Sequence, residues 1–220
     1  MIYLNGVRKR LSDEFTLSVG ELHIEKGERV ALIGPNGSGK STLLRLIARI
    51  IAPDDGTVRI GADKDEVGYE PQNAYSFRGT VESNVRLGLK NGADIESVLS
   101  LCGLDGIRSK KTNELSGGEK QRMCLARMLA GNYKLLLLDE PLSAADIENS
   151  SAMSDVLIKE CERAGTTLLM ATHLPSQALR IATKVLIMNN GEISEYSDVS
   201  DLKSPGSEFG QKFIEQWRIF

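Results

Sequence analysis

Residues Gly34-Pro35-Asn36-Gly37-Ser38-Gly39-Lys40-Ser41 match the pattern G-x-x-x-x-G-K-[ST], and Thr42 follows directly. The flanking residues decide what this loop must join. Before it, Arg29-Val30-Ala31-Leu32-Ile33 is a short apolar run after Gly27, which reads as a buried strand. After it, Leu43, Leu44, Ile47, Ile50 and Ile51 recur at helical spacing, predicting a helix from Lys40 to Ile51 stopped by Pro53. A glycine-rich turn from strand to helix lets successive backbone N–H groups curl around a phosphate, and the helix start adds its positive dipole end. Lys40 supplies a cation for β- and γ-phosphate oxygens, and the Ser41 hydroxyl is placed to ligate Mg²⁺. The bland alternative is a turn that binds nothing; the strand before it and the helix after it favour a nucleotide site.

The rest of the chain reads as strand–helix alternation interrupted once. Phe15, Leu17 and Val19 alternate, followed by Leu22 and Ile24, so residues 15 to 33 are β structure. Short strands are expected near Thr57–Ile60 and Val67–Glu70. From about 74 to 131 strand-like runs vanish and helical periodicity takes over, with Gly131 placed to end the last helix. Leu135–Asp139 then reads as a strand, Ile147 to Ala164 as a helix, and Thr166–Thr172 and Lys184–Met188 as strands, with an Asn190-Gly191 hairpin turn into Glu192–Tyr196. The predicted class is α/β: a mostly parallel sheet with helices on both faces, plus an antiparallel β region. It forms one domain over 1–220, with a core of about 1–73 and 132–220 and an inserted helical subdomain of about 74–131. Near the end, Phe209, Phe213 and Trp217 recur every four residues, as in a terminal helix docked on its own core.

Composition removes several function classes. A net charge of −3 in 220 residues gives no sign of a nucleic-acid partner. No stretch approaches the ~20 apolar residues that span a bilayer, and MIYLNGVRKR lacks the apolar run of a secretory signal. Cys102, Cys124 and Cys161 form no C-x-x-C and read as buried free thiols of a cytosolic protein.

Two further stretches carry chemistry. Leu135-Leu136-Leu137-Leu138-Asp139-Glu140-Pro141 runs four apolar residues into two carboxylates. Ligands of open α/β sheets bind at the carboxyl ends of strands, the edge that also carries the glycine loop. Asp139 is thus placed to reach Mg²⁺, and Glu140 to face the γ-phosphate and polarise an attacking water. The second stretch is LSGGEKQR, residues 115 to 122. Ser116 and Glu119 alone make a capping box. The adjacent Gly117 and Gly118 need another reason, because two glycines cost backbone entropy and suit close approach to the main chain. A serine hydroxyl and bare N–H groups at a helix start make a second anion site.

LSGGEKQR resembles the signature of the ATP-binding cassette ATPases, and the remaining motifs of that family follow in its order. GPNGSGKST at 34 to 42 is similar to its phosphate loop, Gln72 in YEPQN to its glutamine, LLLLDEP to its acidic strand, SAAD at 143 to 146 to its aspartate loop, and His173 in MATHLP to its switch histidine. The resemblance implies that two cassettes pair head to tail, with Ser116, Gly117 and Gly118 acting on the γ-phosphate held by the other copy's loop. It implies that Gln72 senses Mg²⁺ and water while its loop meets a membrane partner, that His173 bonds the γ-phosphate and Glu140, and that Asp146 orients the facing copy. It departs from the family in three places, one of them length: the segments between Lys40 and Gln72, and between Gln72 and Ser116, are short for an importer cassette. VRKRLSDEF offers Arg8, Lys9, Arg10 or Phe15, and no tyrosine, to stack on adenine; Ala145 stands where leucine is usual.

Implied with the resemblance is a transporter subunit that binds and hydrolyses ATP with Mg²⁺. It would sit on the cytoplasmic face of the membrane and drive separate transmembrane permease subunits. PLSAAD and TVESNV look like importers of inorganic oxyanions such as molybdate or tungstate, which would add an extracytoplasmic solute-binding protein. The alternatives are a lipoprotein-release or peptide/drug exporter of similar length, or a soluble cassette ATPase outside transport.

Overall fold

The computed structural model describes residues 1–73, 75–90, 94–143 and 147–216. Its strands are β1 Ile2–Arg10, β2 Thr16–Ile24, β3 Arg29–Ile33, β4 Asp55–Ile60, β5 Val67–Glu70, β6 Leu135–Asp139, β7 Thr167–Ala171, β8 Lys184–Asn189 and β9 Glu192–Asp198. Its helices are α1 Lys40–Ile47, α2 Val81–Arg86, α3 Ile95–Leu101, α4 Gly117–Ala130, α5 Ile147–Ala164, α6 Pro175–Ile181 and α7 Glu208–Gln216. The strands form a single sheet in the order β4-β1-β2-β9-β8-β3-β7-β6-β5. From β8 through β3, β7 and β6 to β5 every pairing is parallel, which aligns the carboxyl ends of β3, β5 and β6 along one edge. β1 with β2, β1 with β4, and β8 with β9 are antiparallel, giving the expected antiparallel region.

Strand periodicity sorts the core residues between the two faces. Leu135 and Leu137 of β6 pack with Leu43, Leu44 and Ile47 of α1. Their neighbours Leu136 and Leu138 pack on the opposite face with Met123 of α4 and Leu157 of α5. All five β6 residues are buried, as expected of a parallel strand covered on both sides, and each leucine so placed contributes about 2 kcal/mol. The helices α2, α3 and α4 share this second cluster with α5 and the sheet. Phe209 and Phe213 of α7 stack with ring centroids 5.9 Å apart and cover Ile33 and Val185 with α6; Trp217 lies outside the described residues. All three cysteines are buried, and desolvation pushes each thiol up to about 12. No helix among the described residues is long and apolar enough to cross a membrane.

The structure differs from the sequence expectation at two places and meets it at a third, Gly131, by another route. β1 is a nine-residue strand that the periodicity does not announce. Its register against β4 shifts between Asn5 and Arg8, around Gly6 at φ 59°, and that bulge breaks the alternation. α1 ends at Ile47, before Ile50 and Ile51. Arg49 takes φ 57°, while Ile50 N–H donates to Arg45 O at 2.9 Å and Arg49 N–H to Leu46 O at 3.0 Å. This is a Schellman stop closed by an arginine instead of the usual glycine. Gly131 remains right-handed as the C-cap of α4, and Asn132, at φ 45°, makes the left-handed turn. A side chain at 131 would meet the Tyr133 ring at 2.1 Å, so packing explains that glycine.

Candidate active site

The loop between β3 and α1 lies along the edge formed by the carboxyl ends of β3, β5 and β6. Gly34 sits at φ 144°, and a Cβ there would lie 2.2 Å from Met188 O, so only glycine lets the loop pass the β8 end. The other side of the loop is braced by the β8–β9 hairpin: Gly191 N–H donates to Ser38 O at 3.1 Å. Asn190 and Gly191, at φ 44° and 82°, are the predicted turn residues. Asn36, Gly37, Gly39, Lys40, Ser41 and Thr42 line one wall of an open cleft of about 560 Å³. Gln72, Asp139 and Glu140 line it too, together with Leu11 and Phe15.

Lys40 is buried and curls back over the loop, donating to Gly34 O at 2.8 Å and Pro35 O at 2.9 Å. Burial holds its ammonium below the usual lysine range, against the pull of Glu140 and then Asp139. Asp139 is buried as well, which raises its carboxyl; a hydrogen bond from the Ser41 hydroxyl works in the opposite direction. The hydroxyl and carboxylate that the sequence assigns to Mg²⁺ therefore line the same cleft. They are hard oxygen donors in a phosphate-binding edge, and they fit a magnesium ion that completes its shell with water and phosphate. Among the described residues no cluster of three or more His, Cys, Asp or Glu side chains could hold a metal, so phosphate and water would have to supply the remaining ligands.

Glu140 is a non-glycine residue in the left-handed region, at φ 54°. Its N–H donates to Ala171 O at 2.9 Å, extending the β6–β7 pairing one residue past the strand. Such a conformation costs on the order of 1 kcal/mol and marks functional turns. One oxygen of this carboxylate collects two partners from different loops. Gln72 Nε2 donates to Oε2 at 3.1 Å, and His173 Nδ1 lies 3.2 Å from the same atom. Glu140 is largely buried, whereas the imidazole is half exposed. The arrangement can present one carboxylate, held from two sides, toward an anion seated in the loop.

Ser116 caps α4: its hydroxyl accepts from Glu119 N–H at 3.3 Å, and its own N–H donates to Glu119 Oε2 at 2.8 Å. Lys110, at 2.8 Å, and then the Ser116 N–H hold the Glu119 carboxyl down at about 2, so this box stays intact at any physiological pH. Ser116 and Gly117 are exposed and Gly118 partly so. None of residues 115–122 lines the cleft that Lys40, Asp139 and Glu140 share. Asp146, expected to orient a second copy, lies outside the described residues. Leu11 has no motif to mark it, and only folding, which places it beside Phe15, brings it into the cleft lining.

The chain matches the family described as ABC transporter over residues 17–143. It is 36% identical over 232 residues to the sulfate/thiosulfate import ATP-binding protein CysA of Nocardia farcinica, covering 97% of this chain and 70% of that protein. A similar protein from Chromobacterium violaceum is spanned over 62% of its length. The thiamine import ATP-binding protein ThiQ of Haemophilus influenzae is 38% identical over 213 residues, covering 89% of this chain and 98% of that one. Among solved structures, the ATP-binding cassette MJ0796, a dimer in a post-hydrolysis state bound to ADP and Pi, superposes with a TM-score of 0.78 at 29% identity. That likeness covers 90% of this chain and 99% of the other.

Proposed function

The chain belongs to the ABC transporter family as one of its ATP-binding, ATP-hydrolysing subunits, and from that premise we propose that it powers import of an inorganic oxyanion through separate membrane permease subunits. The observation that carries the hydrolytic part is the meeting of Gln72 and His173 on Glu140 Oε2, beside a buried lysine in a cleft that Ser41 and Asp139 also line. Residues 34 to 42 receive the phosphates of ATP, with N–H groups of the loop and Lys40 Nζ meeting the β- and γ-oxygens. Ser41, Asp139 and Gln72 would hold Mg²⁺, which would supply charge neutralisation for the phosphates. Glu140 orients water toward the γ-phosphorus, and His173 fixes the carboxylate that does so.

The second anion site, at Ser116, Gly117 and Gly118, is exposed and absent from the cleft of its own chain. We assign it to the triphosphate of a second copy, so that two chains close around two ATP molecules. Residues 74 to 131 act as the helical subdomain that moves with the Gln72 loop against the permease, on the cytoplasmic face of the membrane. An extracytoplasmic solute-binding protein delivers the solute to that permease. Sulfate, named for the relatives from Nocardia and Chromobacterium, is a tetrahedral dianion of the same chemistry as molybdate and tungstate, which supports the oxyanion class.

Isotope uptake tests the direction and the solute together. Cells lacking this chain should lose accumulation of labelled molybdate or tungstate, and regain it with the wild-type chain but not with a Glu140→Gln chain. Unchanged oxyanion uptake in the deletion strain would contradict the import reading.

A further inference from the structure

Behind the Glu140–His173 pair lies a buried amide that no motif marks. Gln177, on α6, is 4% exposed, and Thr172, directly before His173, is 1% exposed. The Thr172 hydroxyl donates to Gln177 Oε1 at 2.9 Å and accepts from Leu174 N–H at 3.1 Å. Backbone on both sides of His173 is thus tied to one hydroxyl, and that hydroxyl is oriented by one amide. The opposite end of the amide reaches the segment that follows Glu140. Gln177 Nε2 donates to Leu142 O at 3.4 Å and to Ser150 Oγ, early in α5, at 3.2 Å. A carbonyl can only accept, so the NH₂ group must face Leu142 and the carbonyl oxygen must face Thr172. The amide therefore has one orientation that satisfies both sides.

A second link extends this network to the signature helix. Gln121 of α4, 8% exposed, donates through Nε2 to Ser143 Oγ at 3.0 Å. The helix that begins at Ser116, the residues after Glu140 and the loop of His173 are joined through two buried amides. A purely structural reading exists, since any buried glutamine must find partners. That reading does not account for which partners it has: of the three atoms outside the pair that bond the Gln177 and Thr172 side chains, two belong to residues within two positions of His173 or Glu140.

We propose that Gln177 is a positioning residue for ATP hydrolysis, which sets the separation of His173 and Glu140 by clamping the loop of the first to the segment after the second. This inference rests on the hydrolytic reading of Glu140 given above. Gln177 does not line the cleft itself. Removing it lets two loops drift relative to each other, and a displacement of an ångström at reacting groups costs up to about 100-fold in rate.

The test is steady-state ATP hydrolysis by the purified chain with Mg²⁺, with nucleotide affinity and thermal unfolding measured on the same samples. Gln177→Leu and Thr172→Val should each lower kcat about 10- to 100-fold while the dissociation constant for ATP stays within about threefold. The double variant should be no worse than the poorer single one, because the two residues act as a unit. Thr172→Ser, which keeps the hydroxyl, should restore turnover. A merely structural role would lower the unfolding temperature, leave kcat per folded molecule at the wild-type level, and overturn the proposal; so would losses that multiply in the double variant. If Gln177→Leu does not fold, the contrast between Thr172→Val and Thr172→Ser decides alone. Wild-type protein without turnover would remove the hydrolytic reading and this proposal together, whereas full turnover by both single variants would remove only this one.

Discussion

Replacing Glu140 by glutamine should abolish ATP hydrolysis and leave ATP binding intact. The exchange keeps the size of the side chain and an oxygen that can still accept from Gln72 or His173, now at 3.1 and 3.2 Å. What it removes is the negative charge that draws a proton from the attacking water. Losing a general base in this position costs on the order of 10²- to 10⁴-fold in kcat. The fold should survive, because the strained φ of 54° is a property of the backbone between β6 and Pro141 and does not depend on the charge. Phosphate release measured at saturating Mg²⁺–ATP, with affinity measured in parallel, gives the result; turnover near the wild-type rate would remove Glu140 from the chemistry.

The second large effect belongs to Lys40. Its ammonium is already buried and already bonded to the carbonyls of Gly34 and Pro35, so it is held at the mouth of the loop before any phosphate arrives. Burial destabilises the charged form and the two carboxylates nearby restore part of the loss. A polyphosphate arriving in the loop would pair that charge directly. Each charge-assisted hydrogen bond to an oxyanion is worth about 1.5–3 kcal/mol, so Lys40→Ala, which removes two, should weaken ATP binding by about 100-fold or more. Titration with a fluorescent ATP analogue measures this. An unchanged affinity would mean that the loop binds through its backbone alone.

The residues that carry these effects are legible in the sequence because each is local. Four leucines followed by Asp139 and Glu140 mark a buried strand with a reactive end, and the strand–loop–helix order around residues 34 to 42 marks the phosphate site without reference to anything distant. The missing parts are those that depend on residues far apart. β1 escapes notice because Gly6 interrupts its alternation and VRKR ends it with charge. The early end of α1 is set by Arg49 reaching the carbonyls of Ile60 and Ala62 at 3.1 Å, which no helical pattern contains. Gln177 reads as an ordinary helix residue until folding places it against a carbonyl 35 positions earlier. Likewise Glu70 and Arg127 form a buried ion pair at 3.2 Å between β5 and α4, across 57 positions of sequence. Local patterns name the groups that touch the nucleotide; the groups that hold them in place are visible only once the chain is folded.

Whether one copy holds only half of each site can be decided by mixing two defective chains. In a Glu140→Gln background that traps ATP, a Lys40→Ala chain has no working loop and a Ser116→Arg chain no working signature, so neither should dimerise alone. Mixed, they leave one intact loop facing one intact signature, and sedimentation with ATP should reveal a dimer containing both chains. A mixture that remains monomeric with ATP, or a single chain that keeps its triphosphate occluded without a second copy, would contradict the shared site.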